Sequence, residues 1–237
     1  MDWPPLKKPA EIAESRLIKA ILSHDLEINT FLPAERDLAA RLGVTRPTLR
    51  EALQRLERDG WLEIHQGKPT RIRNYWQEGN LGLLNALITY ATHFPPDFIG
   101  NLLSVRLDLA PSYVYLAISS NPDQVVEFLQ PLPDLPEDPQ AFTSADWQLH
   151  HLLTVLSGNP IYTLITNGFD HIYQTFGVIY FSQSEARDHS RKFYQDLLKA
   201  GVDHNPVSAR IIAQQVMAES IQYWQRVNSE INDGGIS

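Results

Sequence analysis

Residues 33–75 hold two short apolar stripes at helical spacing, joined by a glycine and followed by a glycine-turned hairpin. Few folds accommodate that order. Pro33 is tolerated in a first helical turn, where its missing N–H would be unpaired anyway. The pattern predicts a helix over 34–42 that stops at Gly43, a C′ glycine. Thr45 is then a good N-cap for a helix running to about Arg58, with Pro47 in its first turn. Leu49, Ala52, Leu53 and Leu56 give that helix its i, i+3, i+4, i+7 stripe. Asp59-Gly60 ends it. Residues 61–65 and 70–75 then read as two strands around the turn Gln66-Gly67-Lys68-Pro69. A further helix precedes this unit from Pro9 to about His24, with a break over 26–30.

Residues 77–80 read as a linker between residues 1–76 and an all-helical second domain, 81–237. Nothing beyond the linker reads as a strand. Helical stretches are predicted over 80–93, 96–119, 122–132, 144–157, 159–181, 184–200 and 206–230, with an acidic, proline-rich loop over 131–139. Several of these stretches are apolar nearly all round, as helices inside a multi-helix bundle are. The fold class expected is mostly α: a winged helix-turn-helix followed by an antiparallel helical bundle.

The formal net charge of −8 argues against nucleic acid until it is divided. Residues 1–76 carry 13 Lys and Arg against 11 Asp and Glu; the remainder carries 7 against 17. Between Arg36 and Arg73 the balance is nine basic to five acidic. Positive charge therefore concentrates where a helix-turn-helix would meet DNA. Such a unit places the N-terminal end of its second helix in the major groove. Thr45, Arg46, Pro47, Thr48 and Arg50 occupy that end. Hydroxyls and N–H groups there suit phosphate oxygens, and arginine suits the O6/N7 edge of guanine. One such helix reads too few base pairs for useful specificity, so a homodimer on a palindromic operator in double-stranded DNA is expected.

The run LPAERDLAARLGVTRPTLREALQRLERDGWLEIHQGKPTRIRNYW resembles the winged-helix domain of the GntR family of bacterial transcription regulators. Asn101–Arg106, Ser157–Tyr162, Asn167-Gly168, Tyr180-Phe181, Glu185–Arg187 and Phe193-Tyr194 resemble its fatty-acid-responsive branch, FadR. The resemblance implies DNA contacts from Arg36, Arg46 and Arg50, phosphate contacts from Thr45 and Thr48, and a minor-groove wing tip at Gly67 and Lys68. Two departures stand out. Pro47 replaces a threonine, and Gln66 takes the place of a base-reading histidine.

For the second domain the resemblance implies an effector, long-chain acyl-CoA, whose binding releases DNA. Arg106 matches the arginine associated with that ligand, though an internal salt bridge is its alternative role. Glu219, Ser220 and Trp224 match positions near the ligand. Met217 replaces a glycine and Val216 a tyrosine, which re-shapes the pocket or weakens the response. Asp146 and His150 form an Asp-x-x-x-His pair that opens a metal site in related regulators, the basis of an alternative reading as a sensor of a metal-bound organic acid. Phe193 and Glu219 stand at the later ligand positions, so one ligand is lost and one becomes a carboxylate; no metal or other cofactor is expected.

An acyl-CoA-processing enzyme is the reading from another class. The sequence has no cysteine, no Gly-x-Ser-x-Gly and no glycine-rich phosphate loop, so no catalytic residue is assigned. The first 15 residues lack the apolar core of a secretory leader, and no apolar run reaches bilayer-spanning length. A cytoplasmic protein with no membrane partner is expected.

Overall fold

The computed structural model describes residues 8–91, 94–95 and 97–233, with side chains described as far as residue 226. The chain divides into two compact units, 1–94 and 95–237. The first contains α1 (Pro9–Leu22), α2 (Glu35–Leu42), α3 (Arg46–Arg58), β1 (Leu62–Glu63), β2 (Arg71–Ile72), α4 (Tyr75–Glu78) and α5 (Gly82–Tyr90). The second contains α6 (Phe98–Ser120), α7 (Pro122–Leu129), α8 (Pro139–Leu156), α9 (Pro160–Asn167), α10 (Asp170–Phe181), α11 (Ser184–Val202) and α12 (Pro206–Asp233).

In the first unit α3 is the hub. Its stripe, Leu49, Ala52, Leu53 and Leu56, is buried against Ala13, Leu17 and Ile21 of α1, against α2 and against β1. Gly43 caps α2 with φ +68°, and Thr45 Oγ1 accepts the Thr48 N–H to cap α3. Both caps stand where the residue pattern puts them. Pro33 does not: α2 begins at Glu35 with Ala34 as its N-cap, so Pro33 lies outside the helix.

The hairpin is shorter at its base than expected and wider than two strands. Leu62 pairs with Ile72 and Glu63 with Arg71. Residues 29–32 add a third backbone run: Leu32 N–H donates to Thr70 O, Asn29 N–H to Ile72 O and Ile72 N–H to Thr30 O. Residues 73–75 do not extend the strand. The Glu78 carboxylate accepts the Asn74 N–H and a double hydrogen bond from Arg71, which curls the chain into α4. Of the expected linker, 77–80, the first two residues thus end α4 and the rest lead toward α5, which packs on α1.

In the second unit α6 and α12 make the largest helix pair, and Ala110, Val114, Phe142, Phe193 and Leu197 are among its fully enclosed core residues. The stretch 159–181 is two helices, because the chain breaks at Gly168-Phe169 before Asp170 opens α10. α8 starts five residues earlier than expected, where Asp138 Oδ2 accepts the Ala141 N–H and Pro139 takes the first helical position. Residues 131–138 include a 3-10 turn, Leu132–Asp134, pinned by α11: Arg191 donates to Pro133 O and Leu135 O, and Arg187 and Arg191 share Glu137. Residues 92–93 and 96, at the expected ends of two helical stretches, lie outside the described residues.

A Cβ on Gly43 would meet no atom within 4 Å, so only the left-handed backbone opposes a side chain there. Gly43→Ala is expected to destabilise the first unit by about 1 kcal/mol in urea denaturation.

Candidate nucleic-acid interface and ligand cavity

Along α2, α3 and the wing, the basic residues fall into two groups. Arg55 pairs with Glu14 and Glu51, Arg58 with Asp59, and Arg71 with Glu63 and Glu78. These side chains serve the fold. Among the described residues, Arg36, Arg41, Arg46 and Lys68 have no ion-pair partner, and all four are exposed. Arg50 is intermediate: it is exposed, yet its Nε donates to Glu35 Oε2 at 2.8 Å. Thr45 and Thr48 share a 2.8 Å hydroxyl contact, so both hydroxyls are partly committed to the cap. Gln66, Gly67 and Lys68 form the exposed hairpin tip, closed by Lys68 N–H donating to His65 O, with Gly67 at φ +75°. The candidate reading residues therefore form two exposed clusters, one at the α3 N-terminus and one at the wing.

The second unit encloses a cavity of about 120 Å³ within a larger recess of about 1070 Å³ that includes open solvent. Its walls come from α6, α8, α9, α10, α11 and α12, with Phe169 at the α9–α10 break. They are mostly apolar: Leu102, Leu103 and Leu109 on α6, Phe176 and Tyr180 on α10, and Val216, Met217 and Trp224 on α12. Met217 is only 2% exposed and fills wall volume. Ser220 lines the cavity beside it, its hydroxyl donating to Val216 O.

A polar cluster interrupts this apolar lining. Asp146 of α8 is buried and accepts hydrogen bonds from Arg106 Nη2 at 2.9 Å, from Tyr194 Oη at 2.9 Å and from the Tyr173 hydroxyl. Burial alone would raise its carboxyl pKa. The Arg106 guanidinium, then His150 and the two tyrosine hydroxyls, outweigh that and hold it below the usual carboxylate range. His150 Nδ1 lies 2.8 Å from the Tyr113 hydroxyl, and its ring stacks on Phe193 at 6.0 Å. Burial, then the Arg106 charge, push the imidazole down to about 3, against the pull of Asp146. It is therefore neutral at pH 7. Tyr173 also presents its ring to Arg106, 5.2 Å from the guanidinium carbon.

The expected ligand residues thus divide. Arg106, Met217, Ser220 and Trp224 line one cavity. Glu219 does not: it turns to α11, where its Oε2 lies 2.5 Å from His189 Nε2 and its Oε1 accepts from Gln215. Arg106 takes the salt-bridge role weighed for it, and its charge is neutralised by Asp146. The two oxygens of Asp146 are met by three donors, Arg106, Tyr173 and Tyr194. Among the described residues no three His, Cys, Asp or Glu come together to hold an ion. Residue spacing could not reveal Tyr113, Tyr173 or Tyr194, whose hydroxyls meet α8 from other helices.

A family profile described as "Bacterial regulatory proteins, gntR family" matches residues 9–72, and one described as "FadR C-terminal domain" matches residues 73–234. The chain is similar to the "Fatty acid metabolism regulator protein" of Shewanella denitrificans, 39% identical over 225 residues, covering 95% of this chain and 94% of that one. The protein of the same name from Shewanella oneidensis is 42% identical over 191 residues, 81% of this chain and 80% of that one. A solved structure described as "Lar controls the expression of the Listeria monocytogenes agr system and mediates virulence" aligns at a TM-score of 0.61 and 18% identity, covering 94% of this chain and 99% of that one.

The depressed His150 pKa has a definite sign. Between about 6.5 and 3 the unfolded chain binds a proton that the folded chain refuses, so stability falls as pH falls through that window. Asp146 adds a loss at lower pH still. His150→Phe is expected to flatten the pH dependence of urea stability between pH 6.5 and 4 relative to wild type. Parallel curves for the two proteins would contradict the assignment.

Proposed function

The chain belongs to the GntR family of bacterial regulatory proteins and carries a FadR C-terminal domain, and from that premise we propose that it regulates fatty-acid metabolism by binding DNA as a homodimer and releasing it when long-chain acyl-CoA occupies the cavity. No helix among the described residues is long and apolar enough to cross a membrane, so no lipid-spanning element competes with this reading.

The DNA half rests on the two clusters of exposed side chains. Arg46 and Arg50 at the α3 N-terminus read base edges in the major groove, and Arg36 on α2 supports them. Thr45 and Thr48 contact phosphate. Gln66, Gly67 and Lys68 enter the minor groove, where glutamine reads the acceptors common to A·T pairs. Arg50 exchanges Glu35 for DNA, an exchange that costs little because the pair is exposed.

The single observation that carries the sensor half is the apolar, aromatic-walled cavity between helices of the second unit. An acyl chain gains about 0.8 kcal/mol per buried methylene in such a space. Arg106 reaches this ligand as a hydrogen-bond donor held by Asp146 rather than as an unpaired cation. Met217, Ser220 and Trp224 shape one wall. In the cavity's polar cluster Asp146 is met by Arg106, Tyr173 and Tyr194, while His150 Nε2 is buried without a hydrogen-bond partner among the described residues.

Two measurements test this. Inverted-repeat DNA selected from a random pool should bind the full chain tightly, and palmitoyl-CoA should weaken that binding; unchanged affinity across acyl lengths would sink the sensor half. Arg46→Ala is expected to cost about 1–3 kcal/mol on the selected site and to relax discrimination at one base pair. Met217→Gly removes wall volume, so calorimetric titration with a series of acyl-CoAs should show the preferred chain length moving upward. An unmoved preference would place Met217 away from the chain.

A further inference from the structure

One nitrogen of the polar cluster is left over. His150 is only 2% exposed and lines the ligand cavity. Its Nδ1 lies 2.8 Å from the Tyr113 hydroxyl, but its Nε2 is buried and has no hydrogen-bond partner among the described residues. A neutral imidazole carries its proton on one nitrogen only, and the surroundings decide which. Nε2 lies 3.8 Å from Asp146 Oδ2. A bare lone pair there would oppose the carboxylate, so the proton belongs on Nε2, and Nδ1 accepts from Tyr113. At 3.8 Å that N–H is too far from Oδ2 for a hydrogen bond, and Oδ2 already accepts from Arg106 and Tyr173. The neighbouring hydroxyls are committed too, Tyr113 to Nδ1 and Tyr194 to Asp146 Oδ1. His150 thus holds a donor out of water with nothing to receive it, a costly state that an incoming acceptor relieves.

We propose that His150 sets the ligand selectivity of this cavity by donating its Nε2 proton to an uncharged oxygen on a bound acyl group. The surroundings fix each part of that description. Apolar walls from α6, α10 and α12 call for a ligand that is mostly hydrocarbon. The acceptor is uncharged, because an anionic oxygen on Nε2 would stand beside the Asp146 carboxylate, and the positive charge of Arg106 is already spent on that carboxylate. A methylene against Nε2 leaves the donor unsatisfied, whereas a carbonyl or hydroxyl oxygen satisfies it, and a buried donor discriminates strongly between the two. The donor is also held in place: the ring stacks on Phe193 with centroids 6.0 Å apart, and Tyr113 fixes its other edge. Two oxygens of an acyl-CoA meet the description, the thioester carbonyl and an oxygen substituent on the chain. This inference rests on the acyl-ligand reading of the cavity and adds what that ligand must carry.

Calorimetric titration of the full chain at pH 7 tests it with three ligands: palmitoyl-CoA, 3-hydroxypalmitoyl-CoA and S-hexadecyl-CoA, a thioether without the carbonyl. Wild type, His150→Phe and His150→Gln are compared, with thermal unfolding to confirm that each is folded. Phenylalanine keeps a flat ring against Phe193 and removes the donor; glutamine returns an amide N–H near the Nε2 position. Wild type should prefer palmitoyl-CoA over S-hexadecyl-CoA by about tenfold where the partner is the thioester carbonyl. Where the partner lies on the chain, the same preference should favour 3-hydroxypalmitoyl-CoA over palmitoyl-CoA. His150→Phe should lose the preference and His150→Gln should regain most of it. Equal affinity of wild type for all three ligands, or a preference that His150→Phe leaves unchanged, overturns the assignment of His150 and leaves the acyl-CoA reading intact. A wild type that binds none of the three overturns both.

Discussion

Asp146 is the constraint around which the second unit is built. A carboxylate taken out of water costs several kcal/mol unless the protein replaces its hydration. Here the replacement comes from three helices: Arg106 from α6, Tyr173 from α10 and Tyr194 from α11. Each must be placed to within a few tenths of an ångström, so the ion pair sets the spacing of the helices that wall the cavity. His150, one turn along α8, joins the same cluster through Tyr113 and is kept neutral by burial and then by the Arg106 charge, against the pull of Asp146. The cavity thus has a rigid polar floor and adaptable apolar walls, among them Met217, whose flexible thioether repacks readily.

The first unit solves the opposite problem. It must keep cations exposed while holding a small fold together. Arg71 shows how the two demands are separated: it ties Glu63 of β1 to Glu78 of α4 and so anchors the wing at its base. Arg55 does the same between α1 and α3. Glu14, Glu35, Glu51, Asp59, Glu63 and Glu78 are spent on ion pairs, while Arg36, Arg41, Arg46 and Lys68 face solvent. Net charge therefore understates the positive potential at the reading edge, and binding there should be sensitive to salt.

Much of the reader was legible in the residue pattern because its signals are local. Gly43, the Thr45 cap and the α3 stripe are each set within one or two helical turns. What was not legible depends on partners far along the chain. The third backbone run at 29–32 exists only because Thr70 and Ile72 lie opposite it. α4 forms because Glu78 reaches back to Arg71 and Asn74, which overrides the β-propensity of Thr70–Tyr75. In the second unit the spacing put Glu219 on the expected helix but could not say which way it turned; His189, 30 residues away, decides that. Arg106 was recognisable as a residue needing a partner, whereas the identity of Asp146, 40 residues on, required the fold. The break at Gly168-Phe169 went unseen because apolar residues continue on both sides of it.

The separation of cavity from reading edge limits how a ligand can act. Every cavity-lining residue falls between Ile99 and Trp224, in the second unit, and every candidate DNA contact falls between Arg36 and Lys68, in the first. None of the cavity-lining residues is therefore a candidate DNA contact. A cavity ligand can alter affinity only by favouring one arrangement of the protein over another, by as much as its own binding differs between them. For the proposed homodimer the sensitive quantity would be the spacing of its two α3 helices, because half-sites recur about 34 Å apart along one face of the duplex. A shift of a few ångströms leaves each α3 chemically unchanged, yet it denies the second reader its groove. The helices that enclose the cavity are tied through Asp146 to fixed positions, so a ligand that spreads the apolar walls must move whole helices. In the proposed dimer the ion pair is then the fulcrum through which an apolar ligand in one unit would become a change of geometry between two copies of the other.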